Sequence, residues 1–108
     1  MENHRLITTL AARLDLDDAV AWYESKREGL GIEFLLEFYD TATLVQTNPQ
    51  MNRIVHGEFR RFLMDRFPYK AYYRINDRTS DWRMVVVAIF HTSTGDKKII
   101  SRLGEPYG

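Results

Sequence analysis

Apolar positions recur along this chain with two different periods, and the change from one to the other falls near residue 50. Arg5-Leu6-Ile7-Thr8-Thr9 reads as a short opening strand. Leu16, Ala19, Val20 and Tyr23 then repeat at the spacing of one helical face, which predicts a helix from about Ala11 to Lys26. Asp15, Asp17 and Asp18 lie towards its front and Lys26 and Arg27 at its back, the order that suits a helix dipole. Glu28-Gly29-Leu30-Gly31 interrupts the pattern, because glycine accepts the left-handed backbone that ends a helix. A second helix follows from about Ile32 to Thr47, with Leu35, Phe38, Ala42 and Val45 on its apolar stripe. It stops before Asn48-Pro49, since a residue preceding proline is driven out of the helical region. The two helices form a hairpin.

Beyond Met51 the period becomes two. Glu58 to Met64 can form a strand, and Tyr69 to Ile75 is a clear one, with Tyr69, Ala71, Tyr73 and Ile75 alternating against Lys70, Tyr72, Arg74 and Asn76. Phe67-Pro68 makes the loop between them, where the missing amide of proline is tolerated. Asn76 to Asp81 supplies a turn, and Trp82 to Phe90 is the next strand. Its centre, Met84-Val85-Val86-Val87-Ala88-Ile89, is apolar at every position, so it belongs in the middle of the sheet with both faces covered. The predicted fold is α+β: a strand, a helical hairpin and three strands, β-α-α-β-β-β, with the hairpin packed on an antiparallel sheet. The tail from Gly95 fits an edge strand or a turn of helix.

Composition narrows the function classes. At 108 residues and 44% hydrophobic content, the whole of 1–108 is expected to form one domain. It has no long apolar run, and the start Met1-Glu2-Asn3-His4-Arg5 is too polar for a signal sequence, so a soluble cytoplasmic protein with no membrane partner is expected. Cysteine is absent, which excludes disulfides and thiolate chemistry. His4, His56 and His91 share no ligand-like spacing, so neither a metal nor another cofactor is expected. Net charge is zero but segregated: residues 1–47 carry nine acids against four bases, and residues 48–83 eight bases against four acids. An acidic face and a basic face can therefore coexist on a neutral chain.

The basic half is the candidate surface. From Arg60 to Arg74 cations and aromatics interleave, and the strand after them ends in His91-Thr92-Ser93. Arg60, Arg61, Lys70, Tyr72, Arg74, Trp82 and His91 are the candidate contacts for a nucleic acid or a large charged partner. Tyr72, Arg74 and Trp82 would be best covered by an acidic, amphipathic segment that folds as it binds, whereas Tyr69 and Tyr73 read as core. A metal-independent ribonuclease would need a base, an acid and a cation on one sheet face. His91, Lys70, Arg60 or Arg61, and Glu58 could supply them, with Arg60 and Arg61 pointing to opposite faces. Against catalysis, a lone histidine at the end of an apolar strand is more often a hydrogen-bonded boundary residue. Gly29-Leu30-Gly31 has no strand before it and is a turn rather than a phosphate loop.

Several segments, in order, resemble the RelE/ParE toxin superfamily, and most closely its ParE-like (plasmid stabilization) branch. They are Arg5-Leu6-Ile7-Thr8-Thr9, the helix with Ala21-Trp22-Tyr23-Glu24, Glu28-Gly29-Leu30-Gly31, Arg60-Arg61-Phe62-Leu63, Arg66-Phe67-Pro68-Tyr69-Lys70-Ala71-Tyr72-Tyr73-Arg74, and Val87-Ala88-Ile89-Phe90-His91-Thr92-Ser93. The resemblance implies the toxin half of a toxin–antitoxin operon, a helical hairpin on a sheet, and a cognate antitoxin that wraps the toxin. Two activities are known in that superfamily: messenger-RNA cleavage on the ribosome by RelE-like members, and poisoning of DNA gyrase by ParE-like members. RelE-like ribonucleases usually carry Arg where Lys70 stands and a catalytic Arg or His where Thr94 stands, so the resemblance favours a protein target, gyrase, over the ribosome. ParE-like relatives commonly continue from His-x-Ser into Arg-Asp-Pro, where this chain reads Thr94-Gly95-Asp96-Lys97-Lys98. A ribosome-dependent endoribonuclease and a degenerate, non-toxic member are the alternatives, and a neutral chain has little surplus charge to offer ribosomal RNA.

Overall fold

The computed structural model describes residues 5–77 and 83–104. Strand β1 (Arg5–Thr8) leads into helices α1 (Leu10–Lys26) and α2 (Leu30–Gln46), and a single 3-10 turn (Pro49–Met51) into β2 (Ile54–His56), β3 (Phe59–Leu63), β4 (Tyr69–Asn76), β5 (Arg83–His91) and a last helix, α3 (Asp96–Leu103). The five strands form one sheet in the order β1-β5-β4-β3-β2. All neighbours are antiparallel except β1 and β5, which run parallel with Leu6 opposite Met84 and Thr8 opposite Val86. The α+β architecture and the helical hairpin match the sequence pattern, and β5 lies inside the sheet with Met84 to Phe90 buried. One element departs from it, the three-residue edge strand β2, and of the two forms open to the tail from Gly95 the chain takes the helix, α3.

The helical hairpin covers one face of the sheet and α3 the other. Leu16, Ala19 and Tyr23 of α1 and Phe34, Phe38 and Ala42 of α2 pack on Phe62, Ala71, Tyr73, Met84, Val86 and Ile89. On the opposite face Ile99 and Leu103 of α3 pack with Phe59, Tyr72, Val85, Val87, Ala88 and Phe90. The fully buried stripe of α2 thus runs through Phe34, Phe38 and Ala42, while Leu35 and Val45 are its partly buried margin.

The hairpin is closed by two glycines with different duties. Gly29 has φ +88°, a left-handed conformation that side chains rarely adopt. Gly31 is needed for space: a Cβ there would lie 2.7 Å from the Val20 carbonyl oxygen and 2.9 Å from Glu24 Oε1. Because the Val20 atom is backbone, α2 must move off α1 to admit a methyl. Gly31→Ala is expected to destabilise the protein by about 1–3 kcal/mol, measured by urea unfolding, a loss typical of overpacking.

Candidate functional site

A bulge in β5 decides which chemistry can converge. Tyr72 pairs with Ala88 and Tyr73 with Val86, leaving Val87 as the extra residue. Val85, Val87, Ala88 and Phe90 consequently face α3, while Met84, Val86 and Ile89 face the hairpin. In an unbroken register His91 would share a face with Lys70. The bulge turns it to the other, opposite Tyr69, whose ring it meets edge-on at 5.4 Å. The single sheet face expected to carry both Lys70 and His91 is therefore corrected: they occupy opposite faces.

The remaining predicted residues also separate. Arg60 lies opposite Tyr73 and Arg61 opposite Tyr72, on opposite faces as their spacing requires. The Arg60 guanidinium donates to the carbonyls of Gln50 and Asn52, tying β3 to the segment before β2. Tyr72 is 3% exposed beneath α3 and Lys70 8%, so the open aromatic and cationic surface expected there is closed. The Lys70 ammonium reaches the Thr92 carbonyl at 3.5 Å and lies 6.0 Å from the centre of the Tyr72 ring. Arg61 and Arg74 remain partly exposed and His91 is exposed. Glu58 sits in the β2–β3 turn, and Trp82 lies outside the described residues. Tyr73 is core, as expected, with its hydroxyl donating to the Pro49 carbonyl at 2.6 Å and accepting from Asn52 Nδ2 at 3.2 Å.

His91 has its own lock. The Ser93 main-chain N–H donates to His91 Nδ1 at 3.0 Å, and Ser93 Oγ lies 2.8 Å from the same nitrogen. Nδ1 is thereby the unprotonated nitrogen, and Nε2 carries the hydrogen as a donor.

Sequence reasoning missed a groove of about 610 Å³ between α1, the β4–β5 end of the sheet and α3. Its construction follows from the shortness of β1. Beyond Val86, β5 has no strand neighbour on that side, and side chains take the place of one. Asp15 Oδ2 accepts from the Ile89 N–H at 3.0 Å, and the Arg102 guanidinium binds both Asp15 oxygens at 2.7 and 3.1 Å while reaching the Val87 carbonyl at 3.5 Å. The aromatic part of the wall holds Trp22, which is 53% exposed and stands edge-on to Tyr23 at 5.0 Å, together with Tyr69, Phe90 and His91. Burial raises the phenol pKa of Tyr23 and Tyr69, so both rings stay neutral well beyond physiological pH. Residues 15, 18 and 22 share one side of α1 by helical spacing, but the partner of Asp15 stands 87 residues away, which no local pattern reveals.

Carboxylates hold the loops around this scaffold. Glu24 accepts from the N–H groups of Gly29 and Gly31 at about 3 Å, and Glu37 Oε2 from those of Asp65 and Arg66 at 2.8 and 2.9 Å. Glu33 binds the Arg66 guanidinium at 2.9 Å. The hydrogen bonds from Gly29 and Gly31 lower the Glu24 pKa, and the bond from Arg66 lowers that of Glu33. A carboxylate whose folded pKa lies below its unfolded value, near 4.5, contributes its full stability above that value and loses it as pH falls towards the folded one. Melting temperature should therefore fall below pH 4.5, and Glu24→Gln should flatten that fall when thermal melts are compared from pH 6 to pH 3.

Among the described residues no helix is long and apolar enough to cross a membrane, and no three His, Asp or Glu side chains cluster as metal ligands would. No family model and no curated protein matches the sequence. A solved structure does: the chain is similar to one in the chromosomal ParDE toxin–antitoxin system from P. aeruginosa, at 16% identity over 84% of this chain and 98% of that one, with a TM-score of 0.69. The fold described above is therefore that of a chain in a ParDE system.

Proposed function

We infer that this protein is the toxin of a type II toxin–antitoxin pair, of the ParE-like kind, which stops growth by binding a protein target and is neutralised by a cognate antitoxin. The observation that carries the reading is the fold shared with a ParDE chain across 84% of this chain and 98% of that one. DNA gyrase is the target the resemblance implies, which puts the protein at work in the cytoplasm. The placement of Lys70 and His91 on opposite faces, and the use of Arg60 as a main-chain brace, favour this over ribonuclease chemistry, whose acid and base must reach one phosphate.

Among the described residues, Arg60, Arg61, Arg74 and His91 are the predicted contacts that keep exposed surface. Close to Arg61, the sheet edge also exposes Ile54, Val55 and Leu63. An acidic segment with one apolar face matches such a surface, and this is the antitoxin chemistry we propose.

Induced expression without the antitoxin should abolish colony formation and raise a DNA-damage response, and purified protein should inhibit supercoiling by gyrase. Co-expression of a small neighbouring gene with an acidic C-terminal half should restore growth. Codon-phased messenger-RNA cuts with intact gyrase activity would replace this reading by the ribonuclease one, and harmless accumulation of folded protein would mark a non-toxic member.

A further inference from the structure

The groove between α1 and α3 enters the reading above only through His91. A second hollow, lined by Phe90, Gly95, Lys97, Lys98, Ser101 and Arg102, shares Phe90, Lys98 and Arg102 with it. The two meet along one ridge: Phe90 lies under both cations, with Lys98 Nζ 5.7 Å and the Arg102 guanidinium carbon 5.1 Å from its ring centre. One side of the ridge is aromatic and the other is basic.

The polar groups of the aromatic side are specific. His91 offers Nε2–H, because Nδ1 is committed to Ser93. Asp18 lines the same groove with no hydrogen bond or ion pair among the described residues. Asp15 is already neutralised by Arg102, so among the described residues lining the groove the carboxylate left over is that of Asp18. A purely apolar occupant would leave a donor and an acceptor unpaired, which costs free energy. A flat heteroaromatic ring with a donor and an acceptor on its edge would stack on Trp22 or Tyr69 and pair both. A negative group attached to such a ring would then cross the ridge to Lys97 and Lys98.

We propose that the α1–α3 groove binds a nucleotide unit, with the base among Trp22, Tyr69 and His91 and the phosphate on Lys97 and Lys98. The volume, about 610 Å³, lies within the range of small-molecule sites, and base stacking on aromatic side chains is tolerant of base identity. The unit could be a free mononucleotide or one residue of a single strand, and the chemistry is common to both.

The test is isothermal titration of the purified full chain with AMP, GMP, CMP and UMP, with inorganic phosphate, and with a short single-stranded oligonucleotide. At least one mononucleotide is expected to bind, and to bind about tenfold or more weakly to Trp22→Ala and to Lys98→Glu, a loss consistent with about one stacked base. Arg13→Ala, on another side of α1, should bind as the unaltered chain does. Equal affinity for mononucleotide and oligonucleotide assigns the site to free nucleotides, and clearly tighter oligonucleotide binding assigns it to a strand. No binding of any nucleotide at millimolar concentration overturns the proposal. So does inorganic phosphate binding as tightly as the nucleotides, or affinity unchanged in both variants. Thermal melts confirm that each variant is folded, and because Trp22 and Lys98 are exposed the two substitutions test the site from opposite ends.

Discussion

Replacing Phe34 by alanine is expected to remove about 3–5 kcal/mol of stability, a large share of what a chain of this size has. Phe34 is fully buried and is the hub of the aromatic cluster beneath the hairpin. Its ring stacks on Tyr23 at 5.1 Å and meets Phe67 at 5.1 Å and Tyr69 at 5.0 Å edge-on. Those three neighbours come from α1, from the β3–β4 loop and from β4, so one side chain joins the three parts that set the hairpin on the sheet. The cluster has little means of collapsing into the void. Glu37 and Glu33 hold the loop at Asp65 and Arg66, and Gly31 already brings α2 against α1 as closely as backbone permits. Equilibrium unfolding in urea should show the loss as a lower midpoint with an unchanged slope. Phe34→Leu should cost distinctly less, because it keeps most of the volume while losing the edge-to-face contacts. A loss below about 1 kcal/mol for the alanine variant would show that the hairpin is not anchored through this cluster.

The same cluster shows what the sequence could and could not disclose. Helical and strand periods locate α1, α2, β4 and β5 to within one or two residues, because in each the apolar face is dictated by a single neighbouring layer. Phe34 escapes the stripe read from Leu35, Phe38, Ala42 and Val45 because the sheet and α1 approach α2 from different directions, and only geometry says which direction is dry. The face of His91 is a different kind of failure. Period-two reasoning carries a residue along a strand correctly until the first bulge, and the bulge at Val87 leaves no mark in a run that is apolar at every position. Period-two reasoning leaves Tyr72 as open surface because α3 has no place in the predicted layers, and Ile99 and Leu103 are what pack with it. The groove itself was illegible: the aromatic rings that line it come from α1, β4 and β5, and its floor is an ion pair between chain positions far apart.

That ion pair carries the second large prediction. Asp15 and Arg102 are 14% and 19% exposed, and together they replace the missing continuation of β1 along β5 while tethering α3 to α1. Breaking such a pair from one side leaves a poorly solvated charge behind, at a cost of about 3–5 kcal/mol for a fully buried pair and somewhat less here, where some solvent screens it. Arg102→Ala strands the Asp15 carboxylate against the sheet edge and also loosens α3, whose buried apolar anchors on the sheet are Ile99 and Leu103. It is expected to cost about 2–4 kcal/mol and to speed amide hydrogen exchange throughout residues 96–103. Asp15→Asn keeps an acceptor for the Ile89 N–H and should cost less than Arg102→Ala. The double variant Asp15→Asn with Arg102→Ala should cost less than the two single variants summed, because no unpaired charge remains, and the shortfall is the coupling between the two side chains. If the single variants were simply additive in the double, the pair would be two independent surface charges, and the filling of the open edge of β5 would have to be credited to packing alone.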